Sequence, residues 1–198
     1  MKKKFEAFQL DANISGEKFI CLTGGNGAGK TTLLSIIAGT IAPDEGEIKL
    51  NSKIITNFPI EKRNVVLITP ESCIPHLDVE THLIWGAKIK KLGIKKENVE
   101  RVKSRLKIHF GGKVSSLSLG MRGRVALATA LISRPELILV DEAFSHLDDR
   151  EDFIRSYREL AVEAGIDVIF ATQNPEEAEF ADYHYNMVGG KAISQEKG

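Results

Sequence analysis

Apolar residues fall into short continuous runs, and longer stretches between them are apolar on one side only. Phe19-Ile20-Cys21-Leu22, Asn64-Val65-Val66-Leu67-Ile68-Thr69, Leu137-Ile138-Leu139-Val140 and Ile166-Asp167-Val168-Ile169-Phe170-Ala171 are too short for helices, which predicts buried strands. Unbroken apolar runs suit strands covered on both faces, as in a parallel sheet. Thr31 to Ala38 is apolar on a helical period and closed by Gly39. Val79, Leu83, Ile84 and Ala87 share one helical face, and Val99, Val102 and Leu106 another. Further helices are predicted from Arg122 to Ser133, stopped before Pro135, and from about Asp149 to Ala164. The loose alternation of Phe8, Leu10, Ala12 and Ile14 predicts an edge strand turning at Ser15-Gly16. Beyond the turn Pro43-Asp44-Glu45-Gly46, the segments Glu47 to Asn51 and Lys53 to Ile55 predict a small hairpin. Strands alternating with helices imply an α/β sandwich around a mainly parallel sheet, with a β-rich N-terminal edge and a helical insert.

Between the first predicted strand and its helix lies Gly24-Gly25-Asn26-Gly27-Ala28-Gly29-Lys30-Thr31, followed by Thr32. This is the phosphate-binding pattern G-x-x-x-x-G-K-[ST] in its proper strand–loop–helix context, that of a P-loop NTPase. The glycines let backbone N–H groups close around phosphate oxygens, and the helix dipole favours the negative charge. Lys30 is expected to reach the β- and γ-phosphates, and the Thr31 hydroxyl to ligate Mg²⁺.

Composition narrows the setting. Of 198 residues, 42% are hydrophobic and 27% charged, an ordinary globular profile. Basic and acidic side chains number 27 each, so no global field recruits nucleic acid or an anionic surface. No apolar run approaches the length of a membrane span and the basic start Met1 to Lys4 leads into no signal-peptide core, so a membrane role is expected through a partner. Cys21 and Cys73 suggest neither a disulfide framework nor a metal cluster, which fits a reducing cytoplasm. The lysine-rich stretch from Lys88 to Lys96 lacks the interleaved aromatics of a nucleic-acid patch and reads as a solvated helix face.

Two further patterns carry chemistry. The strand Leu137 to Val140 ends in Asp141-Glu142, at the strand end where ligands gather in a parallel sheet. Asp141 is expected to orient Mg²⁺ through its water shell, and Glu142 to polarise an attacking water. Upstream, Ser118 in Leu117-Ser118-Leu119-Gly120-Met121 is a natural N-cap for the helix that follows.

Taken together these segments resemble the ABC ATPase family over nearly the whole chain. Leu117 to Met121 resembles the signature written LSGGQ, Ser145-His146-Leu147-Asp148 the D-loop, and Ala42 to Ile48 the segment after the phosphate-loop helix. The resemblance implies ATP bound weakly by each subunit, then two subunits paired head to tail as a homodimer or heterodimer. Ser118 and Gly120 of one would cap the γ-phosphate held by Lys30 of the other, because a second helix N-terminus is satisfied by an anion from across the interface. It further implies hydrolysis to ADP and phosphate, and a separate membrane-spanning permease that holds the subunit at the inner face of the cell membrane.

Three departures from the family pattern stand out. Where the family has Gln at the end of the strand Val65 to Thr69, this chain has Thr69-Pro70-Glu71; Glu71 is favoured as the metal-contacting stand-in, with Thr69 the alternative. The adenine-stacking aromatic of the family has only Phe5 and Phe8 as candidates, and core packing suits both. The His of the last motif is Gln173, expected to serve in catalysis beside Glu142 and Lys30. The reading is one domain over residues 1–198 with a helical subdomain at about 73–124. Its rivals are a nucleotide-gated dimerising module that hardly hydrolyses, a soluble ABC protein of repair or translation, and, remotely, a P-loop kinase.

Overall fold

The computed structural model describes residues 1–195. Its centre is a six-stranded sheet in the order β10-β9-β3-β8-β7-β6. β3 (Phe19–Thr23), β8 (Asp167–Ala171), β7 (Leu137–Asp141) and β6 (Val65–Ile68) are mutually parallel, as the continuous apolar runs predict. β9 (Tyr183–Val188) pairs parallel with β3, and β10 (Lys191–Gln195) returns antiparallel along it. This terminal hairpin has no counterpart in the sequence reading. Its alternating polar pattern is weak, and its apolar Tyr185 and Met187 are spaced for one buried face only.

Alternate side chains of the central strands feed two separate cores. On one side Phe19, Cys21, Ile138, Val140, Val168 and Phe170 pack under α2 (Val79–Ile89), α4 (Leu119–Ile132) and α5 (Arg150–Glu163). On the other, Ile20, Leu22, Leu137, Leu139, Ile169 and Ala171 pack against α1 (Lys30–Ala38). Each fully buried large side chain contributes roughly 2 kcal/mol relative to exposure, so two independent faces hold the sheet level between its helices. β6 is the sheet's edge, and three of its four residues are only half-buried, which corrects the expectation of a fully buried strand.

The N-terminal edge is β-rich but forms no part of that sheet. β1 (Lys2–Lys4) and β2 (Gln9–Asp11) make an antiparallel ribbon, and β4 (Lys49–Leu50) with β5 (Lys53–Ile54) a minimal hairpin. The edge strand expected over Phe5 to Ile14 is thus confined to Gln9–Asp11. The ribbon leans on the β9–β10 turn, where the Asp11 N–H donates to the Gly190 carbonyl at 2.9 Å. A Cβ on Gly190 would lie 2.0 Å from the Gln9 carbonyl oxygen, so only glycine permits this approach.

α2 and α3 (Lys96–Arg105) form the helical insert, and α4 returns the chain to the sheet. Within the insert's apolar packing against α4 lies a buried polar contact. His82, buried on α2, accepts a hydrogen bond on Nε2 from the Ile74 N–H at 3.1 Å. Nδ1 must then carry the ring proton, which it shares with the Thr129 hydroxyl of α4 at 2.9 Å. A second buried tie, absent from the sequence reading, is Arg63. Its guanidinium donates to the carbonyls of Ile36 and Ile37 at 2.9 and 3.0 Å, closing the C-terminal end of α1.

Candidate nucleotide site

The phosphate loop joins β3 to α1 with three of its glycines at positive φ: Gly24 at 141°, Gly27 at 74° and Gly29 at 103°. At Gly24 a Cβ would stand 2.4 Å from the Met187 carbonyl oxygen, so the loop is seated directly on the unforeseen hairpin. The Gly190 N–H donates to the Ala28 carbonyl at 3.0 Å from the same hairpin. No side chain caps α1, which leaves its first-turn N–H groups for an anion. Lys30 is buried and folded back over its own loop, donating to the carbonyls of Gly24 at 2.7 Å and Gly25 at 3.1 Å. Its ammonium also lies 3.8 Å from Oε1 of Glu142.

The acid pair ends β7. Asp141 is buried, and its Oδ1 has no hydrogen-bond partner. Burial pushes its carboxyl pKa up and the neighbouring Glu142 adds to this; a hydrogen bond from Thr31 and the charge of Lys30 oppose the rise. A buried carboxylate oxygen with nothing to accept from is costly unless a cation or donor meets it. Thr31 and Asp141 are hard oxygen donors side by side, the set that suits Mg²⁺ completed by water and phosphate oxygens.

Glu142 adopts φ 56°, a left-handed conformation that a glutamate enters rarely. Three contacts hold it there. Its N–H donates to the Ala171 carbonyl at 3.1 Å, and its own carbonyl accepts from the N–H and hydroxyl of Ser145 at 3.1 and 2.6 Å. Ser145 is therefore a positioning residue that the motif reading left without a task. Gln173, just past β8, donates from Nε2 to Glu142 Oε1 at 3.0 Å. Lys30, Thr31, Asp141, Glu142 and Gln173 thus converge from the carboxyl ends of three adjacent strands, β3, β8 and β7, where an open α/β sheet binds its ligands.

Glu71 is exposed on the turn after β6, and among the described residues its carboxylate makes no hydrogen bond or ion pair with Thr31 or Asp141. The Thr69 hydroxyl, the alternative, is tied to Ser72 at 3.1 Å. Ser118 caps α4, its Oγ accepting from the Met121 N–H at 3.2 Å. A Cβ on Gly120 would sit 2.7 Å from the His146 carbonyl oxygen, so the signature turn rests on the segment that follows Glu142. Phe8 packs beside Gly29 and against the core, and Phe5 lies with its ring centroid 6.2 Å from that of Phe8 and is partly exposed.

Comparison with known proteins identifies the family. The ABC transporter family pattern matches residues 8–145. The molybdate/tungstate import ATP-binding protein WtpC of Pyrococcus abyssi is 35% identical over 185 residues, 89% of this chain and 53% of its own length. The chain therefore spans about half the length of that curated relative. Among solved structures, a putative ABC transporter ATP-binding protein from Pyrococcus furiosus superposes with a TM-score of 0.75 at 26% identity, covering 86% of each chain. A dimeric ATP-binding cassette in a post-hydrolysis state with ADP and Pi shares the fold, with a TM-score of 0.81 at 21% identity over 100% of this chain and 96% of that one. Strand order, phosphate loop, acid pair and family pattern coincide in one site, and the chain belongs to the ABC transporter family.

Proposed function

We propose that this chain binds ATP with Mg²⁺ and hydrolyses it to ADP and phosphate as the motor subunit of an ABC transporter. The observation that carries this reading is the juxtaposition of a half-exposed Glu142 carboxylate with the buried Lys30 ammonium at the mouth of the phosphate loop. Lys30 and the loop N–H groups hold the β- and γ-phosphates, while Thr31 and Asp141 hold Mg²⁺, which supplies neutralisation of phosphate charge when bound. Glu142, which faces Lys30, would take a proton from the attacking water. Gly24, Gly25, Asn26, Gly27, Ala28, Gly29 and Thr32 complete the cradle.

Ser118 and Gly120, at an exposed helix start, serve the γ-phosphate bound by a second copy or a related cassette. A separate membrane-spanning permease is the further partner, and among the described residues no helix is long and apolar enough to cross a membrane. The name of the curated relative concerns import of molybdate or tungstate, which favours the import direction here. A second reading, a dimerising module with little hydrolysis, is favoured by Gln173, whose amide cannot carry positive charge.

Phosphate release from Mg²⁺-ATP by the purified chain tests the proposal. Wild-type release that disappears in Glu142→Gln while ATP still binds supports it. Release that persists undiminished in Glu142→Gln overturns the assignment of the base.

A further inference from the structure

From Thr81 to Lys96 the chain contains no carboxylate, yet it carries Lys88, Lys90, Lys91, Lys95 and Lys96. This is unusual in a molecule whose 27 basic side chains are matched by 27 acidic ones, and it leaves the rest of the chain net acidic. Some other surface lysines meet carboxylates, as Lys3 does Asp44, Lys103 Glu80 and Lys107 Asp149, while exposed lysines without an ion pair elsewhere, such as Lys18, Lys62 and Lys191, are scattered singly along the chain. Lys88, Lys91, Lys95 and Lys96 are exposed and, among the described residues, make no ion pair; Lys90 alone turns aside to the Asn64 side chain at 2.7 Å.

The same stretch exposes apolar surface that the core does not use. Trp85 and Ile89, one turn apart on α2, are 41% and 65% exposed, and Leu92 just beyond is 38% exposed. A tryptophan and aliphatic side chains amid unpaired lysines form the composition that settles at a bilayer–water boundary. The indole prefers the headgroup level, the alkyl groups enter the acyl margin, and the ammonium groups meet anionic headgroups. The apolar area is far too small to insert.

We propose that the Trp85–Lys96 tip of the helical insert adsorbs directly to an anionic lipid surface. The occupant is inferred from charge complementarity: four exposed lysines without an ion pair among the described residues, no carboxylate from Thr81 to Lys96, and a single exposed tryptophan, with Glu97, Glu136 and Glu163 flanking the stretch rather than lying within it. The proposal concerns a face apart from the nucleotide site and stands or falls independently of ATP hydrolysis. Adsorption of this kind is reversible and salt-sensitive, because the lysines act within a Debye length of the surface.

Trp85 is the only tryptophan in the chain, so its fluorescence reports on this face alone. The purified full chain is mixed at low salt with vesicles of phosphatidylcholine, or of phosphatidylcholine with phosphatidylglycerol. The expected result is a blue shift and co-sedimentation with the anionic vesicles only, both lost as salt is raised. Lys88→Glu with Lys91→Glu lowers vesicle affinity by roughly thirtyfold or more, since each lysine near the surface is worth about fivefold. Ile89→Ser, which keeps every charge, weakens binding as well. All three exchanged side chains are solvent-exposed, and unchanged ATP affinity establishes that each variant is folded. An unmoved Trp85 spectrum with anionic vesicles overturns the proposal and leaves the face to a protein helix. Equal binding to neutral vesicles, or full binding by the double lysine variant, overturns it too.

Discussion

Gln173 and Glu142 share one hydrogen bond, from the Gln173 amide to Oε1 of the carboxylate at 3.0 Å, and Lys30 lies 3.8 Å from that same oxygen. Oε1 accepts from Gln173 and faces the Lys30 ammonium. The amide of Gln173 is thus directed at the Glu142 carboxylate, whereas the motif resemblance implies a donor to the γ-phosphate at this position.

Removing the amide in Gln173→Ala should lower kcat roughly tenfold with little change in KM for ATP, because the contact orients a base that acts in the chemical step. Gln173→His should be faster than wild type, since a charged donor bonds about twice as strongly as a neutral one. The pH profile separates orientation from mere structure. A histidine at this position adds a titration near its ordinary range, and the wild-type amide has none. Single-turnover rates decide it: a wild type equal to or faster than the His variant would show that the amide is fully competent.

Lys30→Ala removes the cation from the phosphates. Among the described residues the ammonium bonds to carbonyls of its own loop and faces Glu142 and Asp141, so the fold is expected to be retained. ATP affinity should fall by about 2 kcal/mol, roughly thirtyfold, the worth of a charged hydrogen bond. Calorimetric titration with Mg²⁺-ATP checks this, and unaltered affinity would remove Lys30 from the phosphate site.

How much of this was legible beforehand varies by residue. The core strands and α1 were readable because continuous apolar runs and a glycine-closed period are local signals. The phosphate loop and Asp141-Glu142 were readable because their chemistry is contiguous in sequence. The support beneath them was not. Met187 and Gly190 underpin Gly24 and Ala28 from more than 150 residues away, and a weakly alternating hairpin gives no hint of that task. Likewise Arg63 reads as a surface cation until its carbonyl partners across the fold are known, and Ser145 matters only through the left-handed turn at Glu142.

Arg63→Ala should be among the more damaging single changes outside the site. It strips donors from the Ile36, Ile37, Phe58 and Thr56 carbonyls in a largely buried setting. A loss of roughly 3 kcal/mol is expected by urea unfolding. A midpoint within error of wild type would mean that water replaces the guanidinium at α1.

Burial lowers the pKa of His82 below its ordinary 6.5, and its Nε2 must stay unprotonated to accept from Ile74. The unfolded chain therefore binds this proton first as pH falls. His82 costs nothing above about pH 6.5, and stability declines below it until the folded pKa is reached, by at most about 1.4 kcal/mol per pH unit. Urea midpoints at neutral and mildly acidic pH should differ less in His82→Gln than in wild type. An unchanged slope would assign the acid sensitivity elsewhere.

The central claim is that ATP joins two cassettes through Ser118 and Gly120 of one and the phosphate loop of the other. Sedimentation velocity of Glu142→Gln tests it most directly, because this variant should still bind ATP while the water attack is slowed. The account predicts a dimer with Mg²⁺-ATP, a monomer with ADP, and a monomer with ATP once Ser118→Arg is added. A variant that stays monomeric with ATP at high concentration, or a dimer indifferent to nucleotide and to Ser118→Arg, would contradict it.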